Sequence, residues 1–314
     1  MRWFLAASLW LGAAPAWAGF SHADKGTSGA QFLSLGAGAR AEGMGQAYVA
    51  VADEASAIYW NPAALSRIEA HSASFMHAAL EGGVDYEFLG YGQKLGGWGA
   101  VGGGVQYLSQ PKIDETDAAG FALGNTFHPN DFAASLGYAY TFQQPGLLQG
   151  TSLGLTGKFI QSTITKSAQT VGVDLGYLSA PFQIWYGDFR VAYAIRNIGG
   201  TLRFAQAGDS LPLDLDLGVS WALSGNWLLA ADFNEPVNNA AYFCLGGEYR
   251  YAINEITSVS GRLGMDSRSF SDADGFNGVT FGVGGKFRGW GLDYAFAPLG
   301  TLGSAHRVSV NVSF

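Results

Sequence analysis

From about residue 70 to the end of the chain, apolar and polar residues alternate, and this constrains the fold more than any other feature. Successive side chains on a strand point to opposite faces, so period two marks a strand with one apolar face. Leu213, Leu215, Leu217, Val219, Trp221 and Leu223 alternate with Asp214, Asp216, Gly218 and Ser220. Trp290, Leu292, Tyr294 and Phe296 alternate with Gly291, Asp293, Ala295 and Ala297. At the chain end Val308, Val310, Val312 and Phe314 share one face, and Arg307, Ser309, Asn311 and Ser313 the other. The run 213–223 matches the ~9–11 residues that cross a bilayer at a tilt.

About fourteen such segments are expected, near 70–80, 84–94, 97–109, 130–142, 151–164, 168–180, 188–198, 212–223, 226–235, 240–252, 257–266, 277–288, 289–297 and 305–314. The second and third have no definite phase. An even count suits a bacterial outer-membrane barrel, as does the sidedness of the connections. With a periplasmic N-terminus, the longer links 110–129, 199–211, 267–276 and 298–304 all fall outside. The short turns at Leu95-Gly96, Ser224-Gly225 and Gly289 fall inside, although 143–150 and 181–187 are long for inner turns. The polar face carries Lys158, Asp174, Arg190, Arg196, Asp214, Asp216, Asp232, Glu248, Arg250, Lys286, Asp293 and Arg307. A charge facing lipid costs about 2–4 kcal/mol, so these face the lumen. Their mixed signs suit pairing inside a plugged barrel better than a single-sign porin channel. A soluble sandwich with these charges in water seldom needs so many long, evenly alternating strands.

Composition agrees. Charged residues are only 13% of the chain, aromatics reach 14%, and there are 46 glycines, as expected of closely packed strands with aromatic girdles. The net charge of -8 argues against a nucleic-acid partner. Cys244 is the only cysteine, which leaves no disulfide framework and no multi-cysteine metal site. Arg2, the apolar run from Trp3 and the Ala16-Trp17-Ala18 site read as a cleavable signal peptide over 1–18. Beyond it no run of about 18 apolar residues could form a membrane-spanning helix. The expected fold is therefore all-β: a transmembrane antiparallel β-barrel over 70–314 in the outer membrane of a Gram-negative cell. Residues 19–69 would form an N-terminal hatch inside its lumen.

Residues 19–69 do not alternate. Small residues dominate Gly36–Tyr48 and Val49–Ala57, which lets the chain pack in a confined lumen. Asn61-Pro62 marks a turn and the end of any helix before it. The run FLSLGAGARAEGMGQAYVAVADEASAIYWNPAAL, residues 32–65, strongly resembles the N-terminal signature of the PorV/PorQ family, within the FadL-like outer-membrane transport barrels. The resemblance implies a fourteen-stranded barrel with a hatch whose Asn-Pro-Ala motif is Asn61, Pro62 and Ala63. It also implies passage of hydrophobic compounds or, as in PorV itself, a role in type IX secretion. Arg40, Gly43, Met44, Gly45 and Asp53 join that motif as the candidate hatch and substrate path. Arg40, Glu42, Asp53 and Glu54 should find partners among the lumen charges, because buried unpaired charge is costly. Val308, Val310, Val312 and Phe314 resemble the terminal signal read by the barrel-assembly machinery, and their strand should pair with 70–80 to close the barrel.

Other motifs carry no chemistry. Gly43-Met44-Gly45 lacks the strand and the Lys-Ser/Thr of a phosphate loop. Asp272–Asn277 lacks the closing Glu of a calcium loop. His22, His71, His77, His128 and His306 are scattered, and no G-x-S-x-G elbow is present. No enzyme, cofactor or metal is expected. The leading expectation is a passive channel or carrier for hydrophobic small molecules. The alternative is a PorV-like component that binds secreted protein cargo, and a structural barrel without transport is a third reading. The partners expected are outer-membrane lipid, the assembly machinery, and either small molecules or cargo.

Overall fold

Fourteen antiparallel strands follow one another around a closed barrel in a computed structural model that describes residues 26–204, 208–223, 225–268 and 277–314. The expected signal peptide and the first residues of the hatch lie outside the described residues, as does most of the 272–277 loop. The strands are β1 (His71–Leu80), β2 (Val84–Lys94), β3 (Ala100–Ser109), β4 (Asn130–Thr141), β5 (Ser152–Thr163), β6 (Ser167–Leu178) and β7 (Gly187–Gly199). They continue as β8 (Asp214–Leu223), β9 (Trp227–Pro236), β10 (Tyr242–Asn254), β11 (Thr257–Asp266), β12 (Val279–Phe287), β13 (Trp290–Pro298) and β14 (Ser304–Ser313). Each expected segment falls on one strand; the largest offset is at β3, which begins at Ala100 rather than 97.

Closure is by β14 on β1, in a register that sets Ser313 opposite Ser72, Val310 opposite Phe75 and Val308 opposite His77. The expected pairing of the last segment with 70–80 is thus present. No open edge is left for lipid, where an unpaired backbone group has no water to turn to. Leu136, Leu155, Val171, Leu217, Leu263, Val283 and Leu292 are exposed on the outer wall, the apolar belt of a protein that crosses the outer membrane. Trp98, Trp185, Trp227 and Trp290, all exposed, stand near the ends of strands on the inner side and form an aromatic girdle. The outer link 110–129 holds a small hairpin, Ile113–Thr116 paired with Ala122–Phe127, which the sequence pattern did not disclose.

Inward-facing charges occupy the lumen as expected: Lys158, Asp174, Arg196, Asp214, Asp216, Asp232, Glu248, Asp293 and Arg307 are buried. All but Asp232, which accepts from two hatch amides, are in ion pairs. Lys158 meets Asp174 at 2.7 Å, and Arg196 meets Asp214 at 2.9 Å and Asp216 at 2.6 Å. Arg196 stands at a bulge in β7, where the register against β6 shifts between Ile195 and Ile198. In β2 the inward side chains are Tyr86 and Phe88, while Leu89 and Tyr91 face out. Both faces are apolar there, because Phe88 and Tyr86 meet the hatch rather than water, and this explains why no phase could be read.

Candidate functional site

The hatch is built from short turns separated by small residues. A 3-10 turn over Gln31–Ser34 is followed by the single-turn helices α1 (Ala39–Gly43) and α2 (Ala57–Trp60) and a second 3-10 turn over Pro62–Arg67. Asn61 ends α2 in an extended conformation, as its place before proline requires, and its Oδ1 accepts from the Ala63 N–H at 3.0 Å to cap the next turn. From Phe32 to Leu65 nearly every side chain is buried. The segment lies inside the barrel, with the turn over Pro62–Arg67 packed on β4, β5 and β6 and α1 packed on β12 and β13.

Backbone meets backbone where the wall has glycine. A Cβ on Gly154 would run into Pro62 and Ala63, one on Gly176 into Asn61, and one on Gly264 into Gly45. Gly43 and Gly282 face each other so closely that a Cβ on either would stand 2.9–3.0 Å from the other's Cα. Gly45 has φ +63°, a second reason for glycine there. Met44 is fully buried and its carbonyl abuts Gly246, so packing accounts for it.

Polar contacts pin the hatch around the circumference. Arg40 donates from Nε and Nη2 to the two oxygens of Glu248, at 2.9 and 3.1 Å. Arg262 donates to the same carboxylate at 2.6 Å and to Asp293 at 2.7 Å. Glu42 meets Arg307 at 3.2 Å. Asp232 accepts from the backbone N–H of Tyr48 and Val49, at 2.6 and 3.0 Å. Asn61 Nδ2 donates to the Tyr177 carbonyl at 3.1 Å, and Arg196 lies over the rings of Tyr59 and Trp60.

Arg40 and Glu42 thus find partners on the wall. Asp53 and Glu54 do not: they pair with Arg40, at 2.7 and 3.3 Å, and Asp53 also with Arg67 at 3.6 Å. The reason is the loop from Met44 to Glu54, which folds back on α1 and brings both carboxylates beside residues of the hatch itself. Burial, and then the neighbouring Asp53 charge, push the Glu54 carboxyl up to about 7. Against the opposing effect of burial, Arg40 and Arg67 hold Asp53 well below the usual carboxylate range. Arg262, Arg268, Tyr48, Tyr59 and Trp60 were not among the sequence candidates. Arg262 could have been found, since Val259 and Leu263 set the outward phase of its strand and leave it facing in.

Two of the cavities among the described residues lie on opposite sides of the hatch. The outer one, of about 640 Å³, has apolar walls from Leu35, Leu80, Pro298 and Leu299 above a floor with Glu42, Arg268 and Arg307. The inner one, of about 620 Å³, opens at the periplasmic end near Phe314 and reaches Arg40, Arg262 and Asp293. Of the residues singled out from sequence, Arg40, Asp53, Glu54, Arg250, Lys286, Asp293 and Phe314 line the inner cavity, and Glu42, Gly45 and Arg307 the outer. Gly43, Met44, Asn61, Pro62 and Ala63 line neither; Asn61 is held by hydrogen bonds to the Tyr177 and Val49 carbonyls, and the other four are packed in the hatch.

The fold is similar to two solved toluene transporters. TbuX of Ralstonia pickettii is 12% identical with a TM-score of 0.55, over 88% of this chain and 97% of its own. TodX of Pseudomonas putida is 12% identical with a TM-score of 0.53, over 88% of this chain and 96% of its own. At that identity the likeness concerns the fold. No curated protein matches in sequence. The model of the family described as type IX secretion system protein PorV matches residues 21–227, more than half of the chain. With its hatch signature docked in a fourteen-stranded outer-membrane barrel, the chain belongs to the PorV family.

Proposed function

We propose that this barrel is a passive carrier of hydrophobic small molecules across the outer membrane. The outer cavity carries the reading: a pocket open to the outside and backed by the hatch, with an apolar side of Leu35, Leu80, Pro298 and Leu299 and a charged side of Glu42, Glu81, Asp266, Arg268 and Arg307. A small apolar solute gains about 25 cal/mol for each Å² it withdraws from water there. Arg40, Gly43, Met44, Gly45, Asp53, Asn61, Pro62 and Ala63 hold the hatch that such a solute must pass. No energy source is needed, since the driving force is the solute's own gradient. Toluene, which the two structural neighbours transport, is a suitable probe. Cells producing the barrel should take up labelled toluene faster than cells without it. Leu299→Arg, which brings a charge to the pocket, should remove the difference. Equal uptake with and without the barrel would overturn the reading.

Family membership favours a second reading, in which the barrel binds secreted protein cargo as a type IX secretion component. The exposed outer hairpin, with Ile113, Phe121 and Leu123 in the open, offers such cargo an apolar contact. Cargo and secretion components would then co-purify with the native barrel, and loss of the gene would block surface display. In either case the chain end, Val308, Val310, Val312 and Phe314, would direct insertion by the barrel-assembly machinery.

A further inference from the structure

The two cavities approach each other along one stretch of wall. On β12 the inner cavity touches Gly284 and the outer one Thr280; on β13 they touch Asp293 and Ala297; on β14, Asn311 and Arg307. Each pair is four residues apart, about 13 Å of strand. The residues midway, Gly282, Ala295 and Ser309, line neither cavity. All three are small, and α1 stands in front of them. Gly43 abuts Gly282, and the Ala39 N–H donates to Ser309 Oγ at 2.7 Å. Ala295 is fully buried. The ends of α1 face opposite ways: Arg40 lines the inner cavity and Glu42 the outer.

We infer that α1 is the gate of this barrel, a one-turn septum between the two cavities, and that the path runs along the inside of β12–β14. The rest of the hatch has wall contacts of its own, through Asp232 on the Tyr48 and Val49 amides, Asn61 on Tyr177 and Arg196 over Tyr59 and Trp60, while Arg40 ties α1 to Asp53 and Glu54. Opening therefore requires only that five residues leave the wall, not that the hatch leave the barrel. Arg40–Glu248 and Glu42–Arg307 are the latches on the two sides of the septum. The gap left by one helical turn admits one small molecule at a time. Its inner exit is lined by Ser258, Ser260 and Lys286, so the solute that uses it must tolerate a wet, polar vestibule. A small amphipathic molecule fits that description better than a long lipid chain. The inference rests on the carrier reading for its biological use, while its test does not.

The test is ion conductance of the purified full barrel in planar bilayers. Arg40→Ala with Glu42→Ala cuts both latches and should raise open probability on the order of tenfold over the unaltered barrel, which should stay closed. Adding Ala39→Cys with Ser309→Cys to that variant should close it under oxidation and reopen it under reductant. If the double variant fails to reach the heat-modifiable folded form, Arg40→Met with Glu42→Gln removes the charges at nearly constant size. A folded variant as silent as the parent would overturn the gate, and so would conductance that persists with the cysteines bridged. Conductance controlled by the bridge in a barrel that takes up no toluene would leave the gate standing and remove the carrier reading.

Discussion

Arg40 and Glu248 face each other across the hatch–wall boundary in a two-pronged pair, with nitrogen–oxygen distances of 2.9 and 3.1 Å. Glu248 also serves Arg262 and Arg250, so one buried carboxylate holds three guanidinium groups. Removing one member of a buried pair costs about 3–5 kcal/mol, because the partner left behind keeps its charge without solvent. Glu248→Ala should therefore loosen the hatch far more than the loss of an exposed pair would. Trypsin can report this at Arg40 and Arg67: cleavage of the folded barrel should be fast in the variant and slow in the parent. Equal rates would show that the pair does not hold the hatch.

Glycines in the wall should sort into two classes. Gly264→Ala places a methyl group into the backbone of Gly45, and Gly154→Ala one into Ala63. Both should unseat the hatch and expose Arg40 and Arg67 to trypsin while the barrel stays heat-modifiable. Gly261→Ala meets nothing within 4 Å and should behave like the parent. Similar protease resistance in all three would contradict close hatch–wall packing.

The barrel was legible because lipid enforces a strict rule on every strand: apolar out at period two, as Val308, Val310 and Val312 show. The rule fails where the lumen side is apolar too, as at Tyr86 and Phe88, and where glycine removes the side chain, as at Gly102–Gly104. Within the hatch no period exists to read. The resemblance located Asn61-Pro62-Ala63, and the small residues foretold tight packing. Which wall residue each would meet depends on contacts more than a hundred residues away, such as Arg40 with Glu248, and no local pattern encodes those. Asp53 and Glu54 were expected on the wall for the same reason: sequence shows charge, not the fold-back that brings them to Arg40.

Hatch docking should weaken as pH rises through neutrality. Glu54, inside the lumen, accepts from Tyr48 Oη at 2.7 Å and Ser56 Oγ at 2.8 Å, beside Asp53 and Arg40. Its carboxyl is raised from the ordinary 4.5 to about 7. The docked hatch then binds a proton that the free hatch has lost, so the contribution of Glu54 is full below about 4.5 and is lost as pH passes about 7. The slope is at most about 1.4 kcal/mol per pH unit. Trypsin cleavage at Arg67, corrected for the enzyme's own pH profile, should accelerate from pH 5 to pH 8. Glu54→Gln should flatten that dependence. A parent with no pH dependence would refute the assignment.

The last strand ends on a contact that joins the two ends of the barrel. Phe314 stacks on His71, with ring centroids 5.1 Å apart and planes at 9°. Their backbones exchange two hydrogen bonds, His71 N–H to the Phe314 carbonyl at 3.0 Å and Phe314 N–H to the His71 carbonyl at 3.1 Å. These are the terminal rungs of the β14–β1 seam, the one junction that joins the last strand to the first. An unclosed seam would present two edges to lipid, each with unpaired backbone groups. Deleting Phe314 removes both hydrogen bonds and the ring together, whereas Phe314→Ala removes only the ring. Deletion should therefore lower the amount of folded, protease-resistant barrel several-fold without changing synthesis, with Phe314→Ala intermediate and Phe314→Tyr near the parent. The readout is the heat-modifiable band in membranes against total protein. If deletion, alanine and tyrosine all give the parental ratio, the chain end contributes nothing to closure. If alanine is as poor as deletion, the ring rather than the two rungs is what assembly requires.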